Sequence, residues 1–270
     1  MSNISSAAAC WPTADESFGP VVQDCRGDFD FTIAFEQYLF SILPACLLII
    51  AGPLRLRHLS KSPSVVVAGK TFRLAKLAAV AVFSALQLCL LALWAAQPGV
   101  LGRVRTASVA ASCVSFAASL VFCALSYAEH TRSPRPSSIL NAYLLVSLLL
   151  DGAILRTFWL ADLAASVRAV FTASFALKAC LLVLEAKEKA ALLVGGGGQQ
   201  WRNPESTSGL YSRGLLSWLN PLLLDGFRRL LKPADLYDLD QSMRAAALND
   251  KFWVAWDKGR RGHAHGDVES

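Results

Sequence analysis

Three ionisable side chains stand inside long apolar runs: Asp151 and Arg156 in one, Lys178 in the next. A charge facing lipid at a helix centre costs about 2.5–3.5 kcal/mol on insertion scales, so such residues pair inside a bundle or line a polar path. Counted along two antiparallel helices, Asp151 and Lys178 fall at similar depth near the middle. That placement predicts an intramembrane ion pair locking the two helices together. The other chemistry open to these residues is a proton or substrate relay, in which Arg156 would share.

The remaining reactive residue types form weaker patterns. His263 and His265 have the spacing of a metal-binding pair, but they stand in a polar tail without further ligands. His58 and His130 fall beside the ends of apolar runs, where a solvated or headgroup-facing role is expected. No Ser/His/Asp set, zinc-ligand spacing or pair of catalytic carboxylates emerges. No catalytic residue, cofactor-binding residue or metal is therefore expected in this chain. Gly69, Lys70 and Thr71 end a stretch as a phosphate-binding loop ends, yet that loop needs a glycine where Ser64 stands. An apolar run follows, so the stretch reads as a basic juxtamembrane loop. Of the seven cysteines, Cys46, Cys89, Cys113, Cys123 and Cys180 lie inside apolar runs and read as small buried hydrophobes. Cys10 and Cys25 lie in the polar stretch before the first run and are a candidate disulfide if that stretch is extracytoplasmic. Asn3, with Ile4 and Ser5, forms a candidate N-glycosylation site.

The elements that position these residues follow from how the charge is spread. Hydrophobic residues make up 54% of the 270 and charged ones 17%, and the mean hydropathy is +0.42. The charges are absent from long stretches, as a bilayer demands. Its core, about 30 Å thick, needs roughly 20 apolar residues per helix. Five runs qualify: Ile33 to Leu54, Leu74 to Ala96, Thr106 to Tyr127, Ile139 to Leu160, and Val167 to Leu184. Pro44 is expected to kink the first, and Lys76 to snorkel from the start of the second. The Ala- and Ser-rich third run suits close helix approach. Tyr38, Trp94, Tyr127, Tyr143 and Trp159 fall where an aromatic belt would lie.

The net charge of +6 comes from clusters beside the apolar runs, a pattern of lipid headgroup contact rather than of nucleic-acid binding. Arg55, Arg57, Lys61, Lys70, Arg73, Arg132, Arg135, Lys187, Lys189 and Arg202 fall on one side; Arg26, Arg103, Arg105 and Arg168 fall on the other. The excess places the N-terminus outside the cytoplasm and the C-terminal third inside it. A Gly- and Gln-rich linker surrounds Gly195 to Gln200. Leu210 to Leu231 is too interrupted by Asn220, Pro221, Asp225 and Gly226 to span, and reads as an amphipathic segment on the cytoplasmic face. A last helix is expected from about Gln241 to Trp256, then a disordered tail.

Ser208 to Asp240 carries a run of spaced residues, among them Ser212, Arg213, Trp218, Asn220, Pro221, Asp235 and Tyr237. This run resembles the cytoplasmic lasso segment of ABCC-type, multidrug-resistance-associated ATP-binding-cassette exporters. Phe35 to Gln37 with Ile42 to Pro44, Ser126 to His130, and Leu184 to Lys189 resemble the fungal branch of that family. The resemblance implies an all-α polytopic membrane protein, with a five-helix accessory domain followed by the lasso. On that reading the divisions are an extracytoplasmic segment 1–32, the accessory domain 33–186, a cytoplasmic linker 187–207, the lasso 208–258 and a disordered tail 259–270. Complete relatives would bind ATP and magnesium and export xenobiotics or anionic conjugates across a plasma or vacuolar membrane. The 270 residues hold no phosphate loop, signature motif or translocation core, so the chain reads as a truncated product, a fragment, or a stand-alone accessory domain. Its expected partners are the bilayer and a transporter core. A membrane adaptor for a partner transporter and a small ion-coupled carrier or receptor are the alternatives.

Overall fold

The computed structural model describes residues 14–19, 22, 30–61, 70–96, 102–133, 135–161, 163–187, 204–237 and 245–266. The chain divides into two compact units, Met1–Leu193 and Val194–Ser270.

Among its described residues the first unit holds five long helices: α1 (Ile33–Ser60), α2 (Lys70–Ala96), α3 (Arg103–Arg132), α4 (Ser138–Leu160) and α5 (Ala165–Ala186). Each is long and apolar enough to cross a membrane. The Thr32 hydroxyl accepts from the Phe35 N–H to start α1, and that of Ser137 accepts from Leu140 to start α4. These hydroxyls satisfy N–H groups that a first turn leaves without helical partners. Large apolar side chains such as Ile50, Leu149 and Val183 project outward, Leu149 being 70% exposed within the chain. In water that surface would be strongly unfavourable; in hydrocarbon it carries no penalty.

The expected disturbance at Pro44 takes a definite form. Gln37 to Ile42 wind as a π-helix, in which the Leu43 N–H reaches back to the Tyr38 carbonyl, and α-helical winding resumes at Leu43. Proline lacks an N–H and collides with the carbonyl four residues earlier, and the wider turn gives it room. Small residues do the close packing. Gly52 of α1 lies so near α3 that a β-carbon there would come within 2.3 Å of Val121 Cγ1, while Ala107, Ala111, Ala118 and Ser119 are buried along α3.

Two apolar cores result. One joins Leu48, Val80, Phe83, Phe122, Leu125, Leu140, Leu144 and Leu181. The other joins Ile33, Leu90, Trp94, Val104, Ile154, Phe158 and Val167. Along α2, α4 and α5 the residues between the two sets include Gln87, Ser147, Asp151, Ser174 and Lys178, so a polar layer separates them.

Several expectations change here. Trp94 is not a belt residue: it is buried in the second core, 5.8 Å from the Phe158 ring. Its rotational position on α2, rather than its nearness to the helix end, decides its surroundings. Tyr143 faces Lys178 from 5.9 Å, whereas Tyr38, Tyr127 and Trp159 are exposed as a belt requires. His130 is buried rather than solvated, with Phe72 beside it at 6.1 Å. Cys89, Cys113 and Cys180 are exposed toward the lipid side, while Cys46 and Cys123 are half-buried.

In the second unit, α6 (Pro204–Thr207), α7 (Leu210–Gly214) and α8 (Asn220–Arg228) are linked by turns, followed by α9 (Ala245–Gly266). Leu216, at φ 54°, makes the left-handed turn between α7 and the single 3₁₀ turn Ser217–Leu219. The helix expected to stop near Trp256 continues to Gly266, through residues expected to be disordered. Gly259 and Gly262 both stand inside this helix, where each glycine costs roughly 1 kcal/mol relative to alanine.

Candidate functional site

The polar side chains of the bundle sit in three layers. At the centre, α4 and α5 run antiparallel, and Lys178 Nζ donates to Asp151 Oδ2 in a buried ion pair. The ammonium also faces the Phe83 ring at 5.7 Å and the Tyr143 ring at 5.9 Å, whose negative faces add to its stabilisation. Ser147 lies one turn before Asp151 on α4, and Ser174 one turn before Lys178 on α5, so each pair shares a helix face. All four residues line one small cavity with Gln87, Ser41 and Ser115.

A second layer lies at the end bearing the α1–α2 and α3–α4 connections. Lys76 Nζ contacts Glu185 Oε2 at 2.6 Å, with both side chains almost wholly buried. Lys76 therefore does not snorkel, because a carboxylate from α5 meets it inside the bundle. Ser126 of α3 donates to the other Glu185 oxygen, and Asn141 Nδ2 of α4 donates to the Glu185 carbonyl at 3.2 Å. Beside them Glu129 Oε1 accepts from Arg55 Nε of α1 at 2.8 Å and from Ser137 Oγ at 3.3 Å. Arg132 donates to the Leu59 carbonyl at 3.2 Å. Two carboxylates thus tie all five helices together.

The third layer closes the opposite end. Arg156 extends outward, 56% exposed, and meets the buried Asp30 at 2.9 Å. Thr157 donates to Glu36 at 2.7 Å. The segment before α1 folds onto this end: the Thr32 hydroxyl lies 2.9 Å from the Ser17 carbonyl and 2.8 Å from that of Gly19. Asp15 accepts from the Ile33 N–H at 3.2 Å. The Glu16 carboxylate lies against Gly102, which at φ 82° begins α3, where a helix N-terminus favours negative charge.

In the second unit the singled-out residues form a local network. Ser217 Oγ and Ser212 Oγ are 3.1 Å apart, Arg213 is 3.8 Å from Glu205, and the Trp218 and Tyr237 rings are 6.2 Å apart. Asn220 and Pro221 open α8, where proline fits because its missing N–H has no helical partner. Asp235 accepts from the Lys232 N–H and from Arg229 Nη1, each at 3.0 Å, and Arg229 also binds Asp225 at 3.2 Å. The Lys232 N–H first, then the Arg229 guanidinium, hold the Asp235 carboxyl below the usual carboxylate range. Leu223, Leu224, Phe227 and Leu230 are exposed beside this basic cluster.

Cys10, Cys25, Asn3 and Ser64 lie outside the described residues, as do the side chains of Lys70, His263 and His265. Among the described residues no three His, Cys, Asp or Glu side chains are grouped to hold a metal. Sequence reasoning missed the Lys76–Glu185 and Arg55–Glu129 pairs. The available signal was a pair of carboxylates within a turn of where two apolar runs stop.

A bundle with apolar outer faces and charges paired within defines a polytopic integral membrane domain. The chain belongs to the ABC transporter TMD0 domain family, which matches residues 10–172. It is 41% identical over 267 residues to the ABC-type transporter braE of Annulohypoxylon truncatum, covering 97% of this chain and 18% of that protein. It is 38% identical over 260 residues to the ABC multidrug transporter lscH of Purpureocillium lilacinum, covering 94% and 16%. To the ABC multidrug transporter B of Aspergillus fumigatus it is 38% identical over 238 residues, covering 87% and 16%. The chain spans less than a fifth of the length of these relatives.

Proposed function

We propose that this chain is the membrane accessory and lasso region of an ABCC-type exporter, serving to place or stabilise a transporter core. The observation that carries the reading is the continuity of the match. Fungal ABC transporters align with 87–97% of the chain, through the five-helix bundle and on into the second unit. Two relatives, those of Purpureocillium lilacinum and Aspergillus fumigatus, are multidrug transporters, which supports xenobiotic export by the complete assembly. ATP and magnesium would serve the nucleotide-binding parts of that assembly, and no catalytic role falls to these residues.

In this reading the N-terminal segment is extracytoplasmic, in a plasma or vacuolar membrane, and residues 208–258 form a cytoplasmic lasso. The basic excess beside the α1–α2 and α3–α4 connections supports that orientation. The exposed Leu223, Leu224 and Phe227 beside Arg228 and Arg229 suit a segment resting at the lipid interface. The engagement of Asp151 by Lys178 and of Arg156 by Asp30 favours structural pairing over a carrier's relay.

The test is co-expression of the tagged chain with the core of a fungal relative lacking its own matching region. Co-purification and a raised yield of the core are expected. Solute transport by the purified chain alone in vesicles would overturn the reading.

A further inference from the structure

The central ion pair faces a small space that its own contacts do not fill. The cavity encloses about 30 Å³. A bound water needs at least about 10–15 Å³ of such space and roughly two to four polar partners. Partners are present. Ser174 Oγ is buried and has no hydrogen-bond partner among the described residues, although a hydroxyl taken out of water without a partner is destabilising. Ser147 Oγ reaches only the Leu144 carbonyl of its own helix, at 3.4 Å. Phe40 and Pro44 of α1 line the same space. The proline leaves one carbonyl of the preceding turn without its helical donor, and the π-helical winding ends there.

The charge balance narrows the occupant. Asp151 and Lys178 neutralise each other across the cavity wall, so neither a lone cation nor a lone anion gains from entering. A neutral dipole that both donates and accepts gains from every polar group present.

We propose that this cavity is a binding site for ordered water, held by Ser174 and the Asp151–Lys178 pair between the two apolar cores. The water completes the hydrogen bonding of Ser174 and hydrates a charge pair that would otherwise be dry. This goes beyond the accessory role and does not depend on it.

Hydroxyl-radical footprinting by pulsed X-rays tests the site, with the intact chain in lipid nanodiscs and oxidation read by mass spectrometry. Radicals form from the water itself, so the wall residues Tyr143, Phe171 and Phe175 should be oxidised several-fold faster than Phe122 and Phe158, which do not line the cavity. Ser174→Ala, which makes no steric demand, removes one partner of the water and should lower labelling of the wall severalfold while leaving Phe122 unchanged. Ser174→Ile, which fills the space, should abolish it. Wall residues oxidised no faster than Phe122 in the parent protein would overturn the proposal. So would full labelling retained in Ser174→Ala, whether or not Ser174→Ile folds.

Discussion

Glu185 near the end of α5 and Lys76 in the second turn of α2, 109 residues apart in sequence, meet at 2.6 Å in the bundle interior. Each is almost fully buried, so removing one partner leaves the other charge without compensation. Lys76→Met is expected to destabilise the domain by about 3–5 kcal/mol, and Lys76→Met with Glu185→Leu to recover much of that loss. Thermal unfolding of the purified variants in one detergent measures both. A double variant whose loss equals the sum of the Lys76→Met and Glu185→Leu losses would show that the ion pair is not the source.

The Asp151–Lys178 pair should behave as a unit. Asp151→Ala is expected to lower expression and melting temperature, and adding Lys178→Ala should not deepen the loss. A double variant whose loss equals the sum of the single losses would argue that the two side chains act separately.

Gly52 is a packing site rather than a hinge. Gly52→Ala places a methyl group against Val121 Cγ1 and should cost about 1–3 kcal/mol through overpacking. Val121→Ala removes the obstructing methyl groups, so combining the two should restore most of the stability. Failure of that rescue in a melting experiment would rule out the contact as the cause.

Acidification should loosen the turn after α8. The folded state holds the Asp235 carboxyl low, so the turn's stabilisation is present above the ordinary aspartate value of about 3.9 and is lost as pH falls through the lower, folded value. Hydrogen exchange at the Lys232 amide, compared between mildly and strongly acidic buffer after correction for intrinsic rates, should show protection falling only at the lower pH. Asp235→Asn should flatten that dependence. Protection unchanged by acid in the parent chain would contradict it.

The five helices were legible because length and hydropathy alone decide whether a segment suits hydrocarbon. Asp151 and Lys178 stood out because nothing apolar surrounds a charge there without a reason. Lys76, Glu129 and Glu185 were harder to place. A charge within a turn or two of a helix end can reach water or a partner, and the sequence does not distinguish the two. Trp94 and His130 were misplaced for a related reason: distance from a helix end is readable along the chain, but the face a side chain occupies depends on which neighbour packs there. The π-helical form of the Pro44 disturbance belongs to that same level of detail.

The division of the interior into two apolar cores has a consequence for how damage spreads. Phe122 sits in one and Phe158 in the other, with hydroxyl, amide and charged groups intervening. A void opened at Phe158 draws first on its own neighbours, Trp94 and Phe171, whose rings lie 5.8 and 4.9 Å away. Truncations at the two sites should therefore leave independent scars, their free-energy losses adding within a few tenths of a kcal/mol, about 0.3–0.5.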